Sequence, residues 1–399
     1  MRLPLFYFLY YAAGGITVGY LWPHFKSSGF SGAQIATASS IQPLLTIAIP
    51  LCWGYLADRS GRPASLLRIA SLGAALSFSL LLFTVDYRSV LGILILYSLF
   101  VTAIIALADS IAMKNPGSQR SDYARIRLWG SVGFMASTWG FSAWLEGGGS
   151  SPDAVVVAAV LMFAFVLASF RIPEAPGAPI LQPPSLEEVV LLLRRPSLAI
   201  FLICTLLHWA ALSPFHLFFA IHLRDQAAAP FWVGIGFAGA VIAEVAAMWG
   251  FRWLRSRASL LSLLCLSFAA GSLRWLFTGF ASSGAAIAGL QLVHGLSFGV
   301  FFVASIAFLE QEVPPKLRAT GRALFAAVVF GIGGVLGNLG AGHLYDGGGG
   351  ELAFLAAAGI DLIPALLILL LFRARRPAPL EPGGPSSERG ASPGYAAEA

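Results

Sequence analysis

The chain has 399 residues, of which 57% are hydrophobic and 11% charged, against about 25% charged in an average soluble domain. Its mean hydropathy is +0.79, and 30 Phe, 10 Trp and 10 Tyr add apolar bodies that no soluble core of this length hides behind so few charges. That excludes a soluble enzyme, a nucleic-acid binder and a disordered chain, and leaves a polytopic membrane protein whose net charge of +6 must be explained by where its basic residues sit.

A bilayer core takes about 20 apolar residues per helix. On that scale the chain reads as twelve spans: 4–25, 32–56, 64–84, 89–112, 125–145, 153–171, 197–223, 230–253, 258–280, 284–309, 320–344 and 352–372. The first follows Arg2 as a signal peptide would, yet it runs on through Trp22 with no small-residue cleavage site, so it reads as a span. With the N-terminus placed in the cytoplasm, 21 of the 25 Lys and Arg residues fall on the cytoplasmic side. Only Lys26, Arg88 and Arg224 lie opposite, and Arg274 sits inside a span. Under the positive-inside rule both termini are cytoplasmic, as in a multi-pass protein of a bacterial-type inner membrane. The basic charge is a topology signal, which removes nucleic acid as a partner.

A Pro-rich stretch, 172–196, separates an N-terminal six-helix half (1–171) from a C-terminal one (197–372). The tail 373–399 has the Pro, Gly and Ser content of disorder. Ala64 and Ala258 each open the same four-residue string, ASLL, at the start of a third span, and His24 and His222 each close a first span. Such parallel repeats suit a carrier that rocks between two halves. The expected class is an all-α polytopic membrane protein, twelve transmembrane helices in two six-helix repeats.

The loop GYLADRSGR, residues 54–62, joins spans 2 and 3. Asp58 can cap backbone N–H groups or pair with a basic side chain across the halves, with Arg59 and Arg62 beside it. Gly54 suits a close helix approach and Gly61 a tight turn. The loop resembles the signature of the major facilitator superfamily, where it acts as a conformational latch and not as a substrate site. The resemblance implies the fold of that superfamily.

Ionisable groups inside a span are functional candidates, because each costs on the order of 3 kcal/mol to insert. Here they are Glu244, Arg274, His294 and Asp361, with Asp109 about a turn from a span end and Arg127 opening span 5. Asp361, three residues before Pro364, has no partner that the sequence names. The string RIRLWGSVGF (125–134) and the spacings Asp109 to Arg127 and Arg274 to His294 resemble the lactose-permease-like and phenylpropionate-permease-like branch of proton symporters. That resemblance implies substrate binding by Asp109 and Arg127, with an edge salt bridge as the alternative, and Phe134 and Trp129 are nearby aromatic surfaces for a ring. It implies proton coupling by Glu244, Arg274 and His294.

Departures from that branch matter. Ser297 stands where the branch has an acidic residue, Gln291 where it has a lysine, and Phe134 where it has a tryptophan. Gln291, Ser297, His208, His216 and Tyr11 are candidates for lining the cavity, and plain packing is the alternative for the histidines. Gly295 with Gly299, and Gly333 with Gly337, form small-residue contact faces.

No triad, metal cluster or phosphate loop suggests an enzyme, and no cofactor or metal is expected. The reading is a monomeric secondary transporter, moving a sugar, nucleoside or aromatic carboxylate with protons. An uncoupled facilitator or exporter, or a membrane sensor, is the alternative.

Overall fold

The computed structural model describes residues 2–114, 120–174 and 186–374. Twelve transmembrane helices make up nearly all of it: α1 (2–27), α2 (Gly32–Ser60), α3 (Pro63–Phe83), α4 (Tyr87–Lys114), α5 (Arg120–Glu146), α6 (Asp153–Ser169), α7 (Pro196–Asp225), α8 (Phe231–Arg255), α9 (Leu260–Phe280), α10 (Gly284–Glu312), α11 (318–347) and α12 (350–374). Seven of them, and the stretch running through α11 and α12, are long and apolar enough to cross a bilayer on length and composition alone. The central part of the linker (175–185) and the tail from 375 lie outside the described residues, so the disorder expected of the tail is not addressed. Within the linker, Leu186–Leu193 forms a short helix that packs on α7 and α11 and seats Leu192 in the core.

Local chemistry sets the helix ends. Ser31 opens α2 with a capping box, its side chain accepting from the Gln34 backbone while the Gln34 side chain accepts from Ser31 N–H. Gly61, at φ +65°, closes α2 in the left-handed region, as the turn reading of this residue required. Pro63 and Pro196 begin α3 and α7 at positions where a missing N–H costs nothing. Ser259 and Ser283 cap α9 and α10. Gly349, at φ +67°, separates α11 from α12. Three π-helical turns interrupt α1 (Thr17–Leu21), α10 (Gly295–Val300) and α11 (Ala327–Gly333).

Small residues let the helices meet without a hydrophobic driving force between them. A Cβ at Gly295 would stand 2.4 Å from the Ala243 carbonyl oxygen, so α10 rides directly on the backbone of α8. One at Gly337 would stand 2.4 Å from Ser213 Oγ, which brings α11 onto α7. Gly54 is different: it faces open space, so the close approach expected there is not made in this structure.

Two carboxylates join α1–α6 to α7–α12 at the end of the bundle away from the linker. Asp346, closing α11, accepts from the backbone N–H groups of Gly32 and Ala33 at 2.6 and 2.8 Å, and so caps α2. Glu146, closing α5, accepts from Phe231 N–H at 3.2 Å and caps α8. The two contacts are related by a shift of six helices, since α5 corresponds to α11 and α8 to α2. Lys26 adds a cation–π contact on Tyr345, 4.9 Å from the ring centre, and the Tyr345 hydroxyl donates to Asp225 at 2.6 Å. This end of the molecule is shut.

Candidate functional site

Between the two sets of helices lies a cavity of about 350 Å³. Its walls come from α1 (Tyr11, Val18), α5 (Arg127, Ser131, Phe134), α7 (Trp209, Phe215, His216), α8 (Phe237, Ala240, Val241, Glu244) and α10 (His294, Phe298). Phe134 and Phe237 meet edge to face across the halves, with ring centres 6.1 Å apart. Phe215 packs on Phe237 at 5.0 Å and on His294 at 5.6 Å. His294 stacks almost parallel on Phe298, at 5.0 Å and 9°. The result is a slot between flat aromatic faces, with its polar groups at the edges.

On the α1–α6 side, Arg127 Nη1 reaches Asp109 Oδ2 at 3.3 Å and the Tyr123 hydroxyl at 3.3 Å. The other oxygen of Asp109 accepts a hydrogen bond from the Tyr7 hydroxyl. Arg127 and Asp109 are therefore brought together as expected, though through one guanidinium nitrogen, and with side chains 46% and 27% exposed. That leaves the rest of the guanidinium edge available to a solute. Trp129, expected beside them, does not line the cavity and is half exposed. Two residues along a helix is about 200° of rotation, which turns its ring away from the face that Arg127 shares with Ser131 and Phe134.

On the other side the guanidinium of Arg274, 1% exposed, is locked in place. Nε and Nη2 donate to Gln291 Oε1 at 3.0 and 2.6 Å. Nη1 donates to His294 Nδ1 at 2.8 Å and to Ser297 Oγ at 3.3 Å. The rings of Phe215 and Trp275 flank the guanidinium, 4.4 and 4.1 Å from its carbon to their centres. Because Nδ1 of His294 accepts from Arg274, its hydrogen sits on Nε2, which faces Glu244 Oε2 at 3.8 Å. Glu244, His294 and Arg274 thus form a chain, with the imidazole between the acid and the guanidinium.

The remaining candidates divide. Tyr11 and His216 line the cavity. Gln291 and Ser297 are fully buried behind it, holding Arg274, and His208 is fully buried against Asp361 of α12. In the loop of the signature, Asp58 is half-buried, and among the described residues it has no hydrogen bond or ion pair. The aromatic walls Trp209, Phe215, Phe237 and Phe298 were not singled out beforehand. Phe298 stands four residues after His294, and Phe237, Val241 and Glu244 follow an i, i+4, i+7 face, so helical spacing from the two charged anchors would have found them.

A twelve-helix bundle shut at one end, with a slot at mid-depth between its two sets of helices, is the architecture of a membrane carrier. Residues 1–356 match the family described as "MFS_1 like family", and the chain belongs to that family, within the major facilitator superfamily. It is 27% identical over 384 residues to the maltose permease of Geobacillus stearothermophilus, covering 94% of this chain and 95% of that protein. It is 24% identical over 368 residues to the xanthosine permease of Escherichia coli (strain K12), covering 87% and 88%. The crystal structure of the nucleoside transporter NupG superposes with a TM-score of 0.82 at 22% identity, over 93% of this chain and 98% of that one. The protein is a multi-pass membrane transporter of a small molecule and not an enzyme.

Proposed function

We propose that the protein is a proton-coupled symporter for a neutral, hydroxyl-bearing ring compound, with a nucleoside as the first expectation and a sugar as the second. The observation that carries this reading is the slot itself: paired aromatic faces for a planar ring, edged by Arg127, Ser131, Tyr11, His216 and Glu244. Flat rings gain from stacking against such faces, and hydroxyls find acceptors and donors at the rim. Arg274, the buried cation, is spent on Gln291, His294 and Ser297. Arg127 already has Asp109. Among the described residues the cation that lines the slot, Arg127, is thus already paired, which disfavours an aromatic carboxylate. Nucleoside and maltose permeases among the relatives support the same two classes.

Glu244 carries the coupled proton in this reading. Its carboxyl faces His294, which in turn bonds Arg274, and the substrate occupies the space beside it. Both termini are cytoplasmic, as the distribution of basic residues supports, so the shut end faces outward and the structure is inward-facing. Asp58 and its loop engage only when the linker end closes. The two six-helix halves, 1–171 and 197–372, rock as units about the slot, and the protein works as a monomer.

Binding is tested on the purified protein with a panel of nucleosides, sugars and aromatic acids. The reading expects one of the first two classes to bind, with Phe134→Ala or Phe237→Ala weakening that ligand by roughly fivefold for each lost stacking face of ~1 kcal/mol. Tight binding of an aromatic acid alone would replace the substrate assignment.

A further inference from the structure

Behind the slot, α7 buries a histidine that the transport site does not use. His208 Nδ1 lies 2.6 Å from Asp361 Oδ1 on α12, and its Nε2 lies 2.7 Å from the carbonyl oxygen of Ser297 on α10. Both side chains are wholly buried, and Phe268 and Phe301 pack on the imidazole. Among the described residues the second carboxylate oxygen of Asp361 makes no hydrogen bond of good geometry, nor does the indole nitrogen of Trp275, but the indole interacts with the Asp361 carboxyl. Room for that oxygen exists only because residue 271 is glycine: a Cβ there would stand 2.0 Å from it.

Hydrogen-bond accounting fixes the proton content of this pair. A carbonyl oxygen only accepts, so the contact with Ser297 puts a hydrogen on Nε2. The contact with Asp361 then needs a second hydrogen. It sits either on Nδ1, as imidazolium against carboxylate, or on Asp361, as neutral imidazole against carboxylic acid. Both arrangements hold one proton more than a carboxylate beside a neutral imidazole. We propose that His208 and Asp361 form a proton-binding site inside the membrane, loaded in this conformation, whose discharge is tied to the π-helical turn of α10.

The surroundings give that discharge a consequence. The charged group facing the pair is Arg274 of α9, three residues beyond Gly271, and it interacts electrostatically with Asp361. His294 of α10 and His216 of α7 lie beyond Arg274, with Glu244 of α8 beyond His294. Arg274 donates only to neutral acceptors, and a buried guanidinium without a counter-ion is costly. When the pair gives up its proton, Asp361 is left as a carboxylate with no imidazolium beside it, and the pair carries the negative charge that Arg274 lacks. Without the proton the two short contacts cannot both persist, because an acceptor would face an acceptor at His208. Either the imidazole leaves Asp361 or the Ser297 carbonyl moves away. Ser297 also takes a hydrogen bond from Arg274 through its hydroxyl, and Phe298 is its neighbour in the slot wall. Proton occupancy is thereby linked to the shape of the slot, at a π-helical turn of the kind often found at functional sites.

The test follows protons in the purified full-length protein in detergent and needs no substrate, so its failure is separate from failure of the symport reading. Infrared difference spectra are taken as the pH is raised from mildly acidic to alkaline, with ring-15N histidine and carboxyl-13C aspartate as labels. The wild type is expected to show an aspartate band and a histidine band changing together at one midpoint. Both bands should be absent from Asp361→Asn and from His208→Gln. Misfolding of either variant does not affect the isotope-labelled wild type, which alone shows whether the two bands share a midpoint. Bands that titrate apart, or no titrating pair at all, would overturn the proposal and leave a static buried contact.

Discussion

Arg127 shows how a single side chain divides binding from stability in this molecule. Its contact with Asp109 is 3.3 Å long and partly exposed, so as an ion pair it is worth only about 0–1 kcal/mol. Asp109→Asn should therefore lower the melting temperature of the purified protein only slightly. Arg127→Lys keeps the charge but loses the planar fork, and should weaken substrate binding by about tenfold or more in a direct titration; unchanged affinity would make it an edge charge. Glu244→Gln should abolish uphill accumulation while leaving counterflow exchange intact, since exchange does not require a proton to be released. Equal loss of both would assign Glu244 to structure.

At this scale the sequence was informative wherever a charge had to be explained. The residues Asp109, Arg127, Glu244, Arg274 and His294 stand out because ionisable groups are expensive in a bilayer, and the structure gathers them around one slot. The aromatic walls were not legible in the same way, because 30 phenylalanines carry no contrast with their background. His208 and Asp361 are 153 residues apart, and nothing local to either predicts the other. Trp129 misled by nearness in sequence, where helical rotation decides what faces what.

At the scale of elements, two kinds of contact set how helices meet. Where α10 crosses α8, Gly295 leaves no room for a side chain, and Gly295→Val must push the helices apart. Overpacking of this kind costs roughly 1–3 kcal/mol and should appear as a clear fall in melting temperature; an unaltered value would mean the crossing is loose. Gly54→Ala, facing open space, should be silent in the same assay. The second kind is the pair of carboxylate caps, Asp346 on α2 and Glu146 on α8. Each cap is worth about 1 kcal/mol. The double variant Asp346→Ala with Glu146→Ala should therefore shift the balance away from this conformation by roughly thirtyfold. Distances between spin labels at the shut end would report the change as a longer, more populated separation, and an unchanged distribution would assign the seal to packing alone. Of these features the glycine faces were legible in the sequence, from their spacing. The caps were not, because a carboxylate just past a helix end looks like any loop charge until the opposite helix is in place.

Taken whole, the molecule is one set of six helices docked on another, closed at one end by polar contacts and lined at mid-depth by rings and a few ionisable groups. Twelve spans and their bias of basic residues were readable because the bilayer imposes length and charge rules on every helix. Substrate and coupling depend on how faces from five different helices converge, which no linear rule records. The most direct measurement is uptake into proteoliposomes of the nucleoside or sugar that binds, with and without an inward proton gradient, while external pH is followed. Accumulation that rises with the gradient, accompanied by proton entry with the solute, is the predicted result. Uptake that only equilibrates, is indifferent to the gradient and carries no protons would contradict the symport account and identify a facilitator.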